Sequence, residues 1–343
     1  MVMFLGNQYV IGIDIGATWT RIALARVDGS IASRHVFRTP REGDRYTIAN
    51  TIISSIRREF SNYLDNVKAI GIGTIGPLDL TQGMVINSPN VAIRTFEVAK
   101  PILEEFKKPV VMANDCVTAV WGEKYFGLGR GYSNIVYITI STGIGGGIIV
   151  DDTLLLGKMG NAHEIGHIVV DTSGKMECGC GGKGHWEAYA SGANIPRFAY
   201  RLIDEWNLTQ NERESPVYRA YLNRELTSEL IYTYAKKGDS LALRIINEVN
   251  KYNIAGFENV INSYDPEIIT VGGSVALRNP ELVVEPIVRG IENSKGVVTA
   301  RPRIDVTPLG DDIVLIGALA LALYPPPNLV KKLRYLESIS IDL

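Results

Sequence analysis

Asp14-Ile15-Gly16-Ala17-Thr18-Trp19-Thr20-Arg21 sets a carboxylate, backbone amides, hydroxyls and a guanidinium in one turn between two apolar stretches. Those are the parts of a phosphate clip with a magnesium-ordering acid. Alone, D-x-G-x-T is a short pattern that an ordinary hairpin turn explains better. A second turn of the same construction, Ser141-Thr142-Gly143-Ile144-Gly145-Gly146-Gly147, follows the apolar run from Asn134 to Ile140. Two polar glycine turns between paired strands predict a duplicated fold, whose amides close on a triphosphate from two sides. No G-x-x-x-x-G-K-[ST] occurs, which excludes the P-loop class.

Outward from these turns, strands are expected over 9–14, 19–27 and, past an Asp28-Gly29 turn, 31–38. A helix over 46–64, a buried strand over 67–71, a helix over 96–106 and a strand over 109–113 complete the first half. The second half is expected to hold a strand over 134–140, a tight turn over 141–147 and a return strand from Ile148. Further on come mostly helix over 195–262, a strand over 268–271 and a helix over 280–292. An apolar helix over 312–324 should pack into the core until Pro325-Pro326-Pro327 ends it. The fold class is α/β, and no linker separates the halves. A hinge near Asp115 is expected to divide residues 1–115, with about 311–343, from 116–310.

The 343 residues carry a formal net charge of -2, so no basic face for nucleic acid is expected. No apolar run reaches the roughly 18 residues of a membrane span, and the opening MVMFLGNQYVIG lacks a signal-peptide pattern. A soluble cytoplasmic protein is the expectation, with a homo-oligomer left open. Three cysteines exclude a disulfide scaffold.

Asp115 falls where a buried strand ends, the place at which open α/β sheets bind ligands. A carboxylate there can take the proton of an attacking hydroxyl while Asn114 fixes the substrate. The competing reading is that Asn114 and Asp115 cap the helix beginning at Cys116. Gly272-Gly273-Ser274 follows another buried strand and can lie against a base or a ribose. Gly127-x-Gly129-x-Gly131 reads as a loop.

His163-Glu164-Ile165-Gly166-His167 spells the zinc-protease signature H-E-x-x-H, with Glu187 downstream as a third ligand. Gly157, Gly160, Asn161 and Gly166 leave room for at most one helical turn, and Ile168 to Asp171 reads as a short strand. Asn161, Glu164, His167 and Glu187 instead suit the hydroxyls of a sugar. His167, Cys178, Cys180 and His185 make a Cys2His2 set suited to structural zinc in a loop with four glycines. The alternative is a metal-free loop packed by Trp186.

Together these residues resemble the ROK family of sugar kinases, of the actin, hexokinase and Hsp70-like ATPase superfamily. Asp14-Ile15-Gly16-Ala17-Thr18 looks like its first phosphate motif, Ser141 to Gly147 like its second, and Val271-Gly272-Gly273-Ser274 like its adenosine motif. Glu164 to His167, followed by CGCGGKGHWE over 178–187, matches the family's C-G-C-G-x-x-G-C-x-E in all but one position. The resemblance covers almost the whole chain. It implies two actin-like (ribonuclease H-like) domains with an active-site cleft between them.

It further implies ATP-dependent phosphorylation of a hexose, as by a hexokinase or glucokinase, with Asp115 as general base on the 6-hydroxyl. Asn90, Asn114, Glu164, His167 and Glu187 would hold the sugar. Gly16, Ala17, Thr18, Thr20, Arg21, Thr142, Gly143, Gly145, Gly272, Gly273 and Ser274 would bind ATP, and Asp14 would order Mg2+. His185 stands where the family has a third zinc cysteine, and its longer ring calls the fit into question. No DNA-binding helix-turn-helix precedes Asp14, unlike the family's repressors, so the likeness is to the enzymes, most of all the archaeal ATP-dependent hexokinases. Two other readings stay open: a non-catalytic sugar-sensing protein and the zinc protease.

Overall fold

The computed structural model describes residues 8–89 and 91–338. The first part of the chain forms β1 (Tyr9–Ile15), β2 (Trp19–Arg26), β3 (Ile31–Arg38), α1 (Thr47–Phe60) and β4 (Val67–Thr74). Three two-residue strands follow, β5 (Leu78–Asp79), β6 (Met84–Val85) and β7 (Phe96–Glu97), then α2 (Ala99–Phe106), β8 (Val110–Asn114) and α3 (Asp115–Phe126). Next come β9 (Ile135–Ile140), β10 (Ile144–Val150), β11 (Thr153–Leu154), α4 (Glu187–Ala190), α5 (Ile195–Glu205), α6 (Gln210–Glu214) and α7 (Pro216–Leu222). The chain continues through α8 (Ser228–Lys236), α9 (Ser240–Tyr264), β12 (Ile268–Gly272), α10 (Ser274–Arg278), α11 (Pro280–Asn293), β13 (Arg303–Val306), α12 (Ile313–Leu323) and α13 (Pro327–Val330).

The expected duplication is visible in the strand order. One sheet runs β3-β2-β1-β4-β8 and the other β11-β10-β9-β12-β13. Counted from its own first strand, each sheet has the order 3-2-1-4-5. The β1–β2, β2–β3 and β10–β11 pairs are antiparallel, and β1–β4, β4–β8 and β12–β13 are parallel. Every residue of β1 is buried, the pattern of a central strand covered on both faces, whereas the edge strand β3 is half exposed. Among the described residues no helix is long and apolar enough to cross a membrane.

The chain divides into two compact units, residues 1–135, 147–163 and 311–343, and residues 136–146 with 164–310. Helix α3 belongs to the first of these, because glycines let it and α12 pack backbone to backbone. A Cβ on Gly122 would lie 3.0 Å from Gly317 Cα, and one on Gly71 of β4 only 1.8 Å from the Ala318 carbonyl oxygen. On α12 the whole run Gly317 to Ala322 is buried, as its apolar sequence requires.

Several boundaries differ from the expectation. Strand β10 begins at Ile144 and not at Ile148, so Gly145 to Gly147 are strand and the turn shrinks to Ser141–Gly143. Gly147 serves packing there, since a Cβ on it would meet the Cys116 carbonyl oxygen at 2.0 Å. Ile168 to Asp171 is no strand. Its amides 170 and 171 both donate to the Gly184 carbonyl, leaving a single bridge of Val169 with His185. The helical stretch from 195 is broken into α5 to α9 by caps at Thr209, Ser215, Thr227 and Asp239. Helix α2 starts three residues late because Phe96–Glu97 pairs with β6. The sheet β5-β6-β7 and strand β13 had no sequence signal long enough to read.

Candidate active site

In the first unit, Asp14 pairs with Gly73 of β4, and Gly73 with Ala113 of β8, so these three residues form one row near the carboxyl ends of parallel strands. Asp115 lies two residues beyond that row. Burial pushes the Asp14 carboxyl up from 3.8 to about 6; Arg21 opposes this by hydrogen bond and charge, and Asp115 and Asp312 reinforce it. Arg21 Nη1 donates to Asp14 Oδ2 at 2.8 Å. A buried carboxylate with two acidic neighbours and one guanidinium is a site that gains from a divalent cation.

The turn behind Asp14 closes through Gly16 N donating to the Trp19 carbonyl at 3.0 Å, and it presents Ala17 and Thr18 to solvent. Thr20 is not placed to touch a nucleotide. Strand alternation turns it inward, fully buried, with its hydroxyl 2.9 Å from that of Thr39. Thr39 in turn donates to the Gly16 carbonyl at 2.8 Å, so the pair braces the clip from below. Asn90 lies outside the described residues.

Capping and substrate handling are compatible at β8. Asn114 Oδ1 accepts from Cys116 N at 2.9 Å, and Asp115 Oδ1 from the same amide at 2.8 Å. The cap occupies the carbonyl end of the Asn114 side chain and leaves its NH2 group pointing elsewhere, with Gly76 beside it.

The second unit holds the other candidates. The Ser141–Gly143 turn is backed by Gly192 N and Ala193 N, which donate to the Ser141 and Thr142 carbonyls at 2.7 and 3.1 Å. Ser141 Oγ is 3.1 Å from Ser274 Oγ, which joins the second glycine turn to the third. Gly273 has φ of 86° and no space for a side chain, because a Cβ would meet the Ile140 carbonyl at 2.5 Å. The brace at 192–193 was not read from sequence; the Ser191-Gly192 pair ahead of Pro196 is the cue that could have found it.

Ile165–His167 is a single 3-10 turn, so no helix presents two histidines to a metal and the protease reading fails. His163 is buried with its Nε2 2.9 Å from the Gly160 carbonyl oxygen. His167 instead gathers with Cys178, Cys180 and His185, all four ligand atoms lying within 4.8 Å of one another. His167 Nδ1 is 3.4 Å from His185 Nδ1, 3.8 Å from Cys178 Sγ and 3.6 Å from Cys180 Sγ. Cys180 Sγ is 3.4 Å from His185 Nδ1. Tetrahedral zinc, with bonds of about 2.3 Å to sulfur and about 2.0–2.1 Å to nitrogen, separates its ligands by about 3.3–3.8 Å, which the separations of 3.4–3.8 Å around His167 and between Cys180 and His185 match.

The longer His185 ring is accommodated by a neighbour. A Cβ on Gly182 would lie 2.1 Å from His185 Cε1, so only glycine leaves room for the imidazole. Burial first, then the Cys180 thiol and the Glu187 carboxylate, push the Cys178 thiol up to about 11. A bound divalent cation would reverse that balance.

Glu187 touches two of these features. Its Oε2 accepts from Ile144 N at 2.9 Å at the start of β10, and Cys178 Sγ is 3.6 Å from its Oε1. On the other side of the metal cluster, His167 Nε2 faces Glu164 Oε2 at 3.9 Å, so the ring offers Nδ1 to the cluster and Nε2 to a polar, half-exposed surface.

The ROK family profile matches residues 10–324. The chain is 40% identical over 325 residues to a glucokinase of Pyrobaculum calidifontis, covering 95% of this chain and 98% of that one. It is 35% identical over 325 residues to a glucokinase of Aeropyrum pernix, covering 93% and 98%. Among solved structures, a ROK family glucokinase from Streptomyces griseus in complex with glucose and AMPPNP superposes with a TM-score of 0.71 at 30% identity, covering 92% of this chain and 99% of that one. With two glycine clips, a doubled 3-2-1-4-5 sheet and a family match over most of its length, this chain belongs to the ROK family.

Proposed function

We propose that this protein transfers the γ-phosphoryl group of ATP to the 6-hydroxyl of a hexose, the activity of a hexokinase or glucokinase. The observation that carries this reading is Asp115 at the carboxyl end of β8, beside Asn114 and within electrostatic reach of Asp14, in a ROK-family chain. Asp115 would accept the hydroxyl proton as that oxygen closes on phosphorus. The Asn114 NH2 group would hold the neighbouring hydroxyls, and Glu164, His167 and Glu187 the 1-, 2- and 3-hydroxyl edge. Asn90 is proposed on the 3-hydroxyl side.

Gly16, Ala17 and Thr18 would offer amides and a hydroxyl to the phosphates, and so would Thr142, Gly143 and Gly145. Gly272, Gly273 and Ser274 would lie against the adenosine. Asp14 would order the Mg2+ that accompanies ATP, which would supply charge neutralisation on the phosphates, and Arg21, which donates to Asp14, would belong to the ATP site. We place this activity in the cytoplasm, where ATP and hexoses are both available.

Steady-state ADP release, coupled to NADH oxidation, should show turnover with at least one of glucose, mannose, glucosamine, N-acetylglucosamine and N-acetylmannosamine. Hexose binding without ADP release would reassign the chain to sugar sensing. No response to any hexose would sink both readings.

We further propose a structural zinc on His167, Cys178, Cys180 and His185. Its chemistry is that of a staple: it would hold the glycine-rich loop and fix the ring whose Nε2 reaches the sugar. Metal analysis of the purified protein should find about one zinc per chain, and a strong chelator should lower both the melting temperature and hexose affinity. Metal-free protein with unchanged melting and affinity would leave the loop to its Trp186 packing.

A further inference from the structure

Trp186 stands between the metal-cluster residue His185 and Glu187, and it is fully buried. Its indole N–H donates to Asn253 Oδ1 at 3.0 Å, Asn253 Nδ2 donates to Asn250 Oδ1 at 3.1 Å, and Asn250 Nδ2 donates to the Leu282 carbonyl of α11 at 2.9 Å. The direction of this chain is forced. An indole N–H can only donate and a carbonyl can only accept, so each amide between them has one allowed orientation. Both asparagines lie on α9 among Ile246, Val249, Phe257 and Val260, all buried.

Asn250, Asn253 and Gly256 follow one stripe of that helix, and all three answer to the indole. A Cβ on Gly256 would sit 2.3–2.5 Å from the ring atoms, so the glycine lets α9 lie flat against Trp186. Phe257 meets the ring edge on, with centroids 5.6 Å apart at 71°. Two buried amides are a poor choice for stability alone, since an apolar side chain of similar volume carries no desolvation cost. What they add is direction: an apolar contact would hold the indole in place, whereas a hydrogen bond also fixes how it is turned.

The orientation of Trp186 sets that of its neighbours. Glu187 opens the four-residue helix α4, and its carboxylate is already aimed at Ile144 N; His185 Nδ1 is aimed at the cysteines. We infer that Trp186, Asn253 and Asn250 are positioning residues for hexose binding: a buried hydrogen-bonded chain from α11 through α9 that holds the 185–187 segment in its sugar-binding orientation. This rests on the hexose kinase reading. The three residues touch neither sugar nor nucleotide, and they act through Glu187 and His185.

The test is the hexose KM in Trp186→Phe, Asn253→Leu and Asn253→Asp, measured beside the wild type with the same coupled assay. Trp186→Phe keeps an aromatic ring but loses the pyrrole half of the indole together with its N–H, so its hexose KM should rise about tenfold or more while the ATP KM and kcat stay within about threefold. Asn253→Leu should behave the same way if it folds. Asn253→Asp can complete the chain only when its carboxyl is protonated, so its hexose KM should climb with pH relative to the wild type. Loss of melting temperature and of active fraction with an unchanged hexose KM in Trp186→Phe and Asn253→Asp would reduce the chain to core packing and overturn the proposal. A wild type that turns over no hexose would count against the kinase reading instead.

Discussion

Asp115→Ala should lower kcat for hexose phosphorylation by about 10²–10⁴-fold while leaving the nucleotide affinity within about threefold of wild type. The size follows from the role: without an acceptor, the 6-hydroxyl must attack with its proton in place or release it to water. The two glycine clips are untouched by the change, so binding of a non-hydrolysable ATP analogue, followed by calorimetry, should survive. Folding should survive as well. Asn114 Oδ1 still accepts from Cys116 N, so α3 keeps its cap and the loss at the first helical position is about 1 kcal/mol or less. Asp115→Asn retains an acceptor for that amide but no base, and it should be as slow as the alanine variant. Near-normal turnover in either would remove Asp115 from the mechanism.

Most of what positions these groups was legible in the sequence, for reasons that differ between the elements. Strands β1, β2, β8, β9 and β12 announce themselves because each is an apolar run closed by a glycine or polar turn. The two clips gave away the duplication, since local turn chemistry is encoded within a few residues. Thr20 was misjudged because a motif lists residue types, whereas the face of a strand on which a side chain falls depends on register: Ile15 pairs with Thr20, which sends the hydroxyl to Thr39. The glycines of β10 misled in the same way. Gly145 to Gly147 look like a turn but are strand, and Gly147 is needed because α3 lies against the strand there. The departure at His185 was visible, but its remedy was not. The glycine-rich loop reads as flexible, and only the fold reveals that Gly182 faces the imidazole ring. Nor does the sequence of α9 say that two asparagines seven and four residues before Phe257 answer to a tryptophan more than sixty positions away.

Asp14→Asn should abolish turnover and at the same time make the protein more stable at neutral pH. The unfolded chain releases the Asp14 proton near 3.8, whereas the fold holds it to about 6, because burial outweighs Arg21 and because Asp115 and Asp312 crowd it with like charge. Between those values the folded state binds the extra proton, so stability falls as pH rises, and above 6 the whole cost stands. A difference of roughly two pKa units corresponds to about 3 kcal/mol. Asparagine has nearly the shape of the neutral acid and no charge to bury. Urea unfolding should therefore place Asp14→Asn up to about 3 kcal/mol above wild type at pH 8, with the gap closing toward pH 4. Mg2+ with ATP should narrow it from the other side, stabilising the wild type more than the variant, because a cation beside Asp14 relieves the charge that the fold otherwise bears alone. A variant no more stable than wild type at pH 8, or a gap that ignores pH, would show that Asp14 is at ease in the fold without a cation. If instead the variant is more stable at pH 8 and the gap closes toward pH 4, the wild type keeps a carboxylate that weakens its own fold, a cost that the metal-ordering role proposed for Asp14 would explain.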